Sequence, residues 1–311
     1  MAASDHTILE QASDWLKAGR KVAIATVVET WGSAPQPIGS QLVIDEDGNF
    51  IGSVSGGCVE ADVLERAQMV LAGAPAIVRR YGVADDAAWD VGLPCGGDIQ
   101  VLVQPVSADG FPESLFTDIV NARGNGATLA VVTNLATGRS MIAQDAAAEG
   151  FVNVYYPPRR LLIVGAVEIA AALSAIAVSQ GIDVTLCDPR GRFLTADRFP
   201  GVRLDDRWPD EAVKAFAPDS RSAIVTLSHD PKIDDPALIS ALDSPAAYVA
   251  ALGSVRSHAA RLSRLSAAGV GGDQTARIEG PAGVAINAIS APEIALSIAG
   301  GMIRAFNHGL R

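Results

Sequence analysis

Beyond Pro157-Pro158 short apolar runs alternate with helix-length stretches, and this alternation constrains the fold more than any other feature of the chain. The runs 161–164, 183–187, 223–226 and 248–252 have the length of buried strands. Helical stretches at 167–179, near 236–242 and near 257–268 fall between or after them. A last helix, about 291–307, opens with Ser290-Ala291-Pro292-Glu293, a capping box with proline in its first turn. Such alternation predicts a Rossmann-like, doubly wound parallel sheet.

Paired prolines resist both helix and sheet, so a domain boundary is expected at this point, dividing the chain into 1–157 and 158–311. The first half mixes elements without strict alternation, which predicts an α+β domain. It reads as helix 7–20, strand 22–28, a Gly/Pro-punctuated loop 29–39 and a hairpin of 41–44 with 50–54 around Asp47-Gly48-Asn49. Helix 59–71, strands 77–81 and 99–105, a helix near 116–122, a hairpin near 129–142 and strand 151–156 follow. A chain of 311 residues is long enough for two cores.

A formal charge of −11 argues against nucleic acid and against attraction to an anionic membrane. Residues 161–178 carry a single charge, Glu168, but Gly165 breaks them into strand and helix, so no membrane span is expected. The N-terminus lacks the basic and apolar regions of a signal peptide, and a cytoplasmic location is expected. The three cysteines, Cys58, Cys95 and Cys187, show neither a disulfide framework nor C-x-x-C spacing, which fits a reducing compartment.

Two clusters carry the chemistry of the first half: Ser55-Gly56-Gly57-Cys58-Val59-Glu60 and Leu93-Pro94-Cys95-Gly96-Gly97-Asp98. Glycines leave backbone N–H groups uncovered, and a thiolate beside them can bind a soft metal, carry sulfur or attack an electrophile. Cys58 enters a helix, whose N-terminus favours thiolate; Glu60 would oppose that or cap the backbone. Cys187, at the end of an interior strand, reads as a small buried hydrophobe.

In the second half Gly165 follows the first strand and Asp188 ends the second, at the spacing of a ribose-binding carboxylate. The run Gly165-Ala166-Val167-Glu168 keeps only the first glycine of the dinucleotide fingerprint, and Glu168 puts negative charge where a phosphate would sit. Ser228-His229-Asp230 and Gly253-Ser254-Val255-Arg256 follow later strands, at the sheet edge where open α/β folds bind ligands. Arg190 and Arg256 suit phosphate or carboxylate, and His229 beside Asp230 suits a general base.

The loop Gly32-Ser33-Ala34-Pro35-Gln36-Pro37-Ile38-Gly39-Ser40, the segment Gly52-Ser53-Val54-Ser55-Gly56-Gly57-Cys58-Val59-Glu60 and Cys95-Gly96-Gly97 resemble the XdhC/CoxI family. The resemblance continues through Pro157-Pro158, Asp188-Pro189-Arg190, His229-Asp230, Gly253-Ser254-Val255-Arg256 and the stretch 280–298 with Pro281, Gly283, Glu293, Ile294 and Ala295. It implies an accessory protein that binds molybdenum cofactor, protects it during sulfuration and inserts it into an apo-molybdenum hydroxylase of the xanthine dehydrogenase or CO dehydrogenase type. A cysteine desulfurase is the implied second partner, and the cofactor, molybdopterin, would be held as mononucleotide or dinucleotide. By resemblance Cys58 and Cys95 contact molybdenum or sulfur, Gly56, Gly57, Gly96 and Gly97 shape the pocket, and Ser33, Gln36 and Ser40 donate hydrogen bonds. Gly165, Asp188, Arg190, His229, Asp230, Gly253, Ser254 and Arg256 complete the candidate set. Where the family has a Gly-x-Gly-His-like run the chain has Gly165-Ala166-Val167-Glu168, and Asn287 and Ala291 replace an expected glycine and proline. Two other readings stay open: an NAD(P)-dependent oxidoreductase using His229 and Asp188, and a docking scaffold without cofactor. Apolar helices such as the last one are compatible with a homodimer.

Overall fold

The computed structural model describes residues 5–82, 97–143 and 150–308. Cys95 and Gly96 lie outside them. The chain forms two units, residues 1–157 and 158–311.

The first unit begins with α1 (Asp5–Lys17), followed by β1 (Val22–Trp31), β2 (Gln41–Asp45), β3 (Phe50–Gly52) and α2 (Glu60–Leu71). Next come β4 (Ile77–Tyr81), β5 (Asp98–Pro105), α3 (Glu113–Gly124), β6 (Leu129–Thr133), β7 (Ser140–Ile142) and β8 (Phe151–Tyr155). An antiparallel sheet runs in the order β3-β2-β1-β5-β4, and a smaller one in the order β7-β6-β8. Side chains alternate across a strand, so β1 serves two cores. Ala23, Ala25 and Val27 pack with Val63, Ala67 and Val70 of α2. Val22 and Ile24 pack with Leu9 and Ala12 of α1, Phe116 of α3 and Val131 of the small sheet. This is the expected α+β pattern, with one extension: β1 continues three residues past Val28. A register shift between Val27 and Glu29 absorbs Val28 as an extra residue and lets pairing with β5 resume.

The second unit consists of β9 (Arg160–Val164), α4 (Glu168–Ser179), β10 (Asp183–Cys187), β11 (Arg203–Asp205), α5 (Pro209–Phe216), β12 (Ser222–Thr226) and α6 (Pro231–Leu242). It continues through β13 (Tyr248–Ala251), α7 (Val255–Ala267), the one-turn α8 (Gly272–Thr275), β14 (Ile278–Glu279) and α9 (Ala291–Asn307). The parallel strand order β11-β10-β9-β12-β13-β14 reverses direction between β9 and β12, the doubly wound Rossmann-like arrangement that the alternation predicts. Both faces are covered. Leu161 and Ile163 point toward α4 and α9, and Leu162 and Val164 toward α5 and α6.

Periodicity did not anticipate β11, α5, α8 or β14: two are strands of two or three residues, and α8 is a single turn. Helix α6 starts at Pro231 rather than near 236, because Asp230 accepts the Lys232 N–H at 2.9 Å as its cap and Pro231 needs no donor in the first turn. No described helix is long and apolar enough to cross a membrane.

Candidate functional site

The loop 53–59 between β3 and α2 is organised around one carboxylate. Glu60, buried in the first turn of α2, turns back and accepts hydrogen bonds from the loop that precedes it. Its Oε1 takes the Ser53 hydroxyl at 2.7 Å, the Val54 N–H at 3.1 Å and the Ser55 N–H at 2.9 Å. Its Oε2 takes the Ser55 hydroxyl, the Gly57 N–H at 2.9 Å and the Val59 N–H at 3.3 Å. The wrapped path needs positive φ at Gly56 (76°) and Gly57 (116°), which glycine tolerates. Burial alone would raise the Glu60 pKa, but the donors of Ser55 and Ser53 outweigh it and pull it from the ordinary 4.5 to about 2.

This filling revises the role expected of the paired glycines. The Gly57 N–H is held by Glu60, and the Gly56 N–H donates to Ser53 Oγ at 2.8 Å. These two N–H groups are therefore engaged by the chain itself rather than turned toward an outside anion. What the loop presents outward is Cys58, exposed and not in a disulfide.

Gly97, at the start of β5, touches the Ser33 loop. A Cβ at residue 97 would lie 2.7 Å from the carbonyl carbon and oxygen of Ser33 and 3.0 Å from Ala34 N, so two of the three motif segments meet backbone to backbone. Ser33 is exposed, while Gln36 and Ser40 are half-buried. Ser40 is fixed through its backbone: its carbonyl accepts the Val27 N–H at 2.9 Å, and its N–H donates to the Pro37 carbonyl at 3.1 Å. Cys187 is fully buried, and burial pushes its thiol up to about 12, as suits a core residue. Among the described residues, no group of three or more His, Cys, Asp or Glu is placed to hold a metal ion.

In the second unit Gly165, Asp188 and Arg190 do come together. Asp188 is fully buried and accepts the Ala166 N–H at 2.8 Å, the Arg190 N–H at 2.9 Å and two guanidinium bonds from Arg190 at 2.8–2.9 Å. Burial opposes its ionisation, yet Arg190 and the two N–H groups hold its pKa below the usual carboxylate value. Gly165 (φ 110°) presses against the end of β12, where a Cβ would lie 2.8 Å from Ser228 N. The residues do not fit a nicotinamide dinucleotide bound in the usual manner. Both Asp188 oxygens are taken, Val167 stands where a glycine would let the backbone approach a pyrophosphate, and Glu168 opens α4.

Asp230 caps α6 rather than orienting His229, which stands exposed in a left-handed conformation (φ 61°). Ser254 caps α7, accepting the Ser257 N–H at 3.2 Å, and Arg256 is exposed in the first turn. Gly253 lies where a Cβ would meet Ser257 Oγ at 2.4 Å. Sequence reasoning missed Asp234 and Arg261, two buried charges behind these loops. Asp234 accepts the Ser228 hydroxyl at 2.7 Å, and burial raises its pKa; Arg261 donates to the Leu252 carbonyl at 2.7 Å. Both lie on helices beside obvious loop motifs, and nothing in their spacing marks them as buried.

A Rossmann-like unit preceded by an α+β unit with a thiol-bearing glycine loop defines a two-unit protein class with known members. Residues 161–302 match the family model described as the XdhC Rossmann domain, and residues 15–82 that of the XdhC and CoxI family. The chain is 30% identical to the molybdenum cofactor insertion chaperone PaoD of Escherichia coli, over 94% of this chain and 86% of that one. It is 23% identical to a probable xanthine dehydrogenase subunit of Bacillus subtilis, over 96% of each. The fold is similar to the crystal structure of a xanthine dehydrogenase from Bacillus halodurans, with a TM-score of 0.80 at 22% identity, covering 99% of this chain and 97% of that one. The chain belongs to the XdhC and CoxI family.

Proposed function

We propose that this protein is a maturation factor that takes up molybdenum cofactor as cargo, shields it while a desulfurase supplies the terminal sulfur, and inserts it into an apo-hydroxylase of the xanthine dehydrogenase type. The observation that carries the reading is the likeness to the insertion chaperone PaoD along almost the whole chain, both units included. The chemistry of the first unit supports it. Cys58 offers an exposed thiol on a loop whose shape is held by Glu60, and a thiolate is a soft partner for molybdenum or an acceptor for sulfur. Cys95 is proposed as the second thiol, and Gly96, Gly97, Ser33, Gln36 and Ser40 as further contacts to the cargo. In the second unit Arg256 and His229 are the exposed groups at the strand ends suited to anionic parts of the cargo. A cysteine desulfurase and a second copy of the chain are the further partners proposed.

Anaerobic titration of the purified chain with molybdenum cofactor tests the reading. Stoichiometric uptake that weakens in Cys58→Ser or Cys95→Ser is the expected result. No uptake by the wild type would overturn it and return attention to the scaffold reading.

A further inference from the structure

The bulge in β1 builds a second constellation on the face of the five-stranded sheet turned away from α2, beyond the part that α1 and α3 cover. Up to Val27 the odd-numbered residues of β1 face α2, and an unbroken strand would send Glu29 and Trp31 the same way. Val28 is the extra residue, so Thr30 pairs instead with Ile99, which packs in the α2 core, and Glu29 and Trp31 turn to the opposite face. There Glu29 stands across from Gln100 and Trp31 across from Asp98, while β4 sets Arg80 on the far side of Gln100. Together they line a shallow, open cleft.

Its contents are unusual for a solvent face. Trp31 is 71% exposed, a wide indole left uncovered beside charges of both signs. Arg80 is committed to Asp98 at 2.7 Å. Glu29 is near enough to Arg80 to act on it through charge, but its carboxylate accepts no hydrogen bond from any described residue. The cleft therefore offers a carboxylate with two acceptor oxygens beside the amide of Gln100, and a flat aromatic face in the neighbouring cross-strand pair. Two acidic groups make it a poor place for a phosphate and a good one for N–H donors.

We infer that this cleft binds the 2-amino-4-oxo ring edge shared by pterin and guanine, stacked on Trp31. That edge presents two adjacent N–H donors and a carbonyl. Glu29 complements the donors and the Gln100 amide the carbonyl, while the indole takes the ring face. An adenine edge alternates donor and acceptor and lacks this match. The inference deepens the cargo reading above and rests on it: the ring is either the pterin of the cofactor or the guanine of a dinucleotide form.

Calorimetric titration of the full chain at millimolar 6-hydroxymethylpterin, guanosine monophosphate, inosine monophosphate and adenosine monophosphate distinguishes these sources. Binding of the pterin alone assigns the cleft to the pterin, and binding of the guanine nucleotide assigns it to a dinucleotide. Where the guanine nucleotide binds, inosine monophosphate, which lacks the 2-amino group, binds more weakly by about tenfold or more. In either case Glu29→Gln and Trp31→Ala weaken binding by about tenfold or more, and Trp31→Phe retains most of it. Failure of both 2-amino-4-oxo probes to bind, or unchanged affinity in Glu29→Gln and Trp31→Ala, overturns the inference. Should these variants also take up whole cofactor like the wild type, the cleft is excluded and the carrier reading stands. Should the chain bind the probes as described but no cofactor, the cleft stands and the carrier reading falls.

Discussion

Glu60 decides what the glycine-cysteine loop is. A loop with two positive-φ glycines at a helix N-terminus is a concave set of N–H donors that draws an anion, and here the anion is part of the chain. The pKa gives a direct test. A carboxyl whose pKa is lowered on folding adds stability above its unfolded value, and that stability is lost as pH falls through the folded one. Glu60 drops from 4.5 to about 2, so its contribution is full above pH 4.5 and fades between there and pH 2. Glu60→Gln replaces an acceptor oxygen by an NH2 facing N–H donors, and should cost about 2–3 kcal/mol at neutral pH. Urea unfolding at a series of pH values should show the two proteins converging across that window; a constant difference down to pH 2 would contradict the assignment. The sequence made both thiol-glycine clusters legible, since Gly-Gly beside Cys is visible in one dimension. It left two roles open for Glu60, opposing the thiolate or capping the backbone. The choice depends on how the chain folds back over seven residues, which no spacing rule encodes.

At the scale of elements, strand-end loops show how closely the second unit is built. Gly165 ends β9 and lies against the first residues beyond β12, the two strands on either side of the point where the sheet order reverses. In a dinucleotide-binding fold this crevice is where the ligand enters. Here Gly165 lies against the Ser228 backbone, and Asp188 is held by Arg190, whose guanidinium lies 4.8 Å over the Phe193 ring. Gly165→Ala meets both a left-handed φ and backbone at 2.8 Å, and should destabilise by about 2–3 kcal/mol, read as a lowered melting temperature. An unchanged melting temperature would mean the two loops move apart at no cost. Sequence periodicity found the long strands and helices because each shows one apolar face, and it found the damage to the dinucleotide fingerprint because residue types alone reveal it. It ended β1 at Val28, where alternation breaks; the break is a bulge, and the strand runs on through the residues that shape the open cleft.

For the whole molecule, the alternation after Pro158 made the Rossmann-like unit readable, since α/β order follows from the succession of elements alone. The first unit was readable as α+β, but its strand order β3-β2-β1-β5-β4 depends on pairing β1 with a strand some seventy residues away, which local pattern does not specify. Under the proposed function, a chain of net charge −11 holds an anionic cargo through local donors rather than through its overall field. The most direct measurement is therefore delivery. An apo-hydroxylase of the xanthine dehydrogenase type is incubated anaerobically with limiting sulfurated molybdenum cofactor, with and without the chain, and recovered activity is followed over time. Faster and more complete recovery is expected with the wild-type chain, and loss of that gain in Cys58→Ser. Equal recovery with and without the chain would contradict its role as an insertion factor.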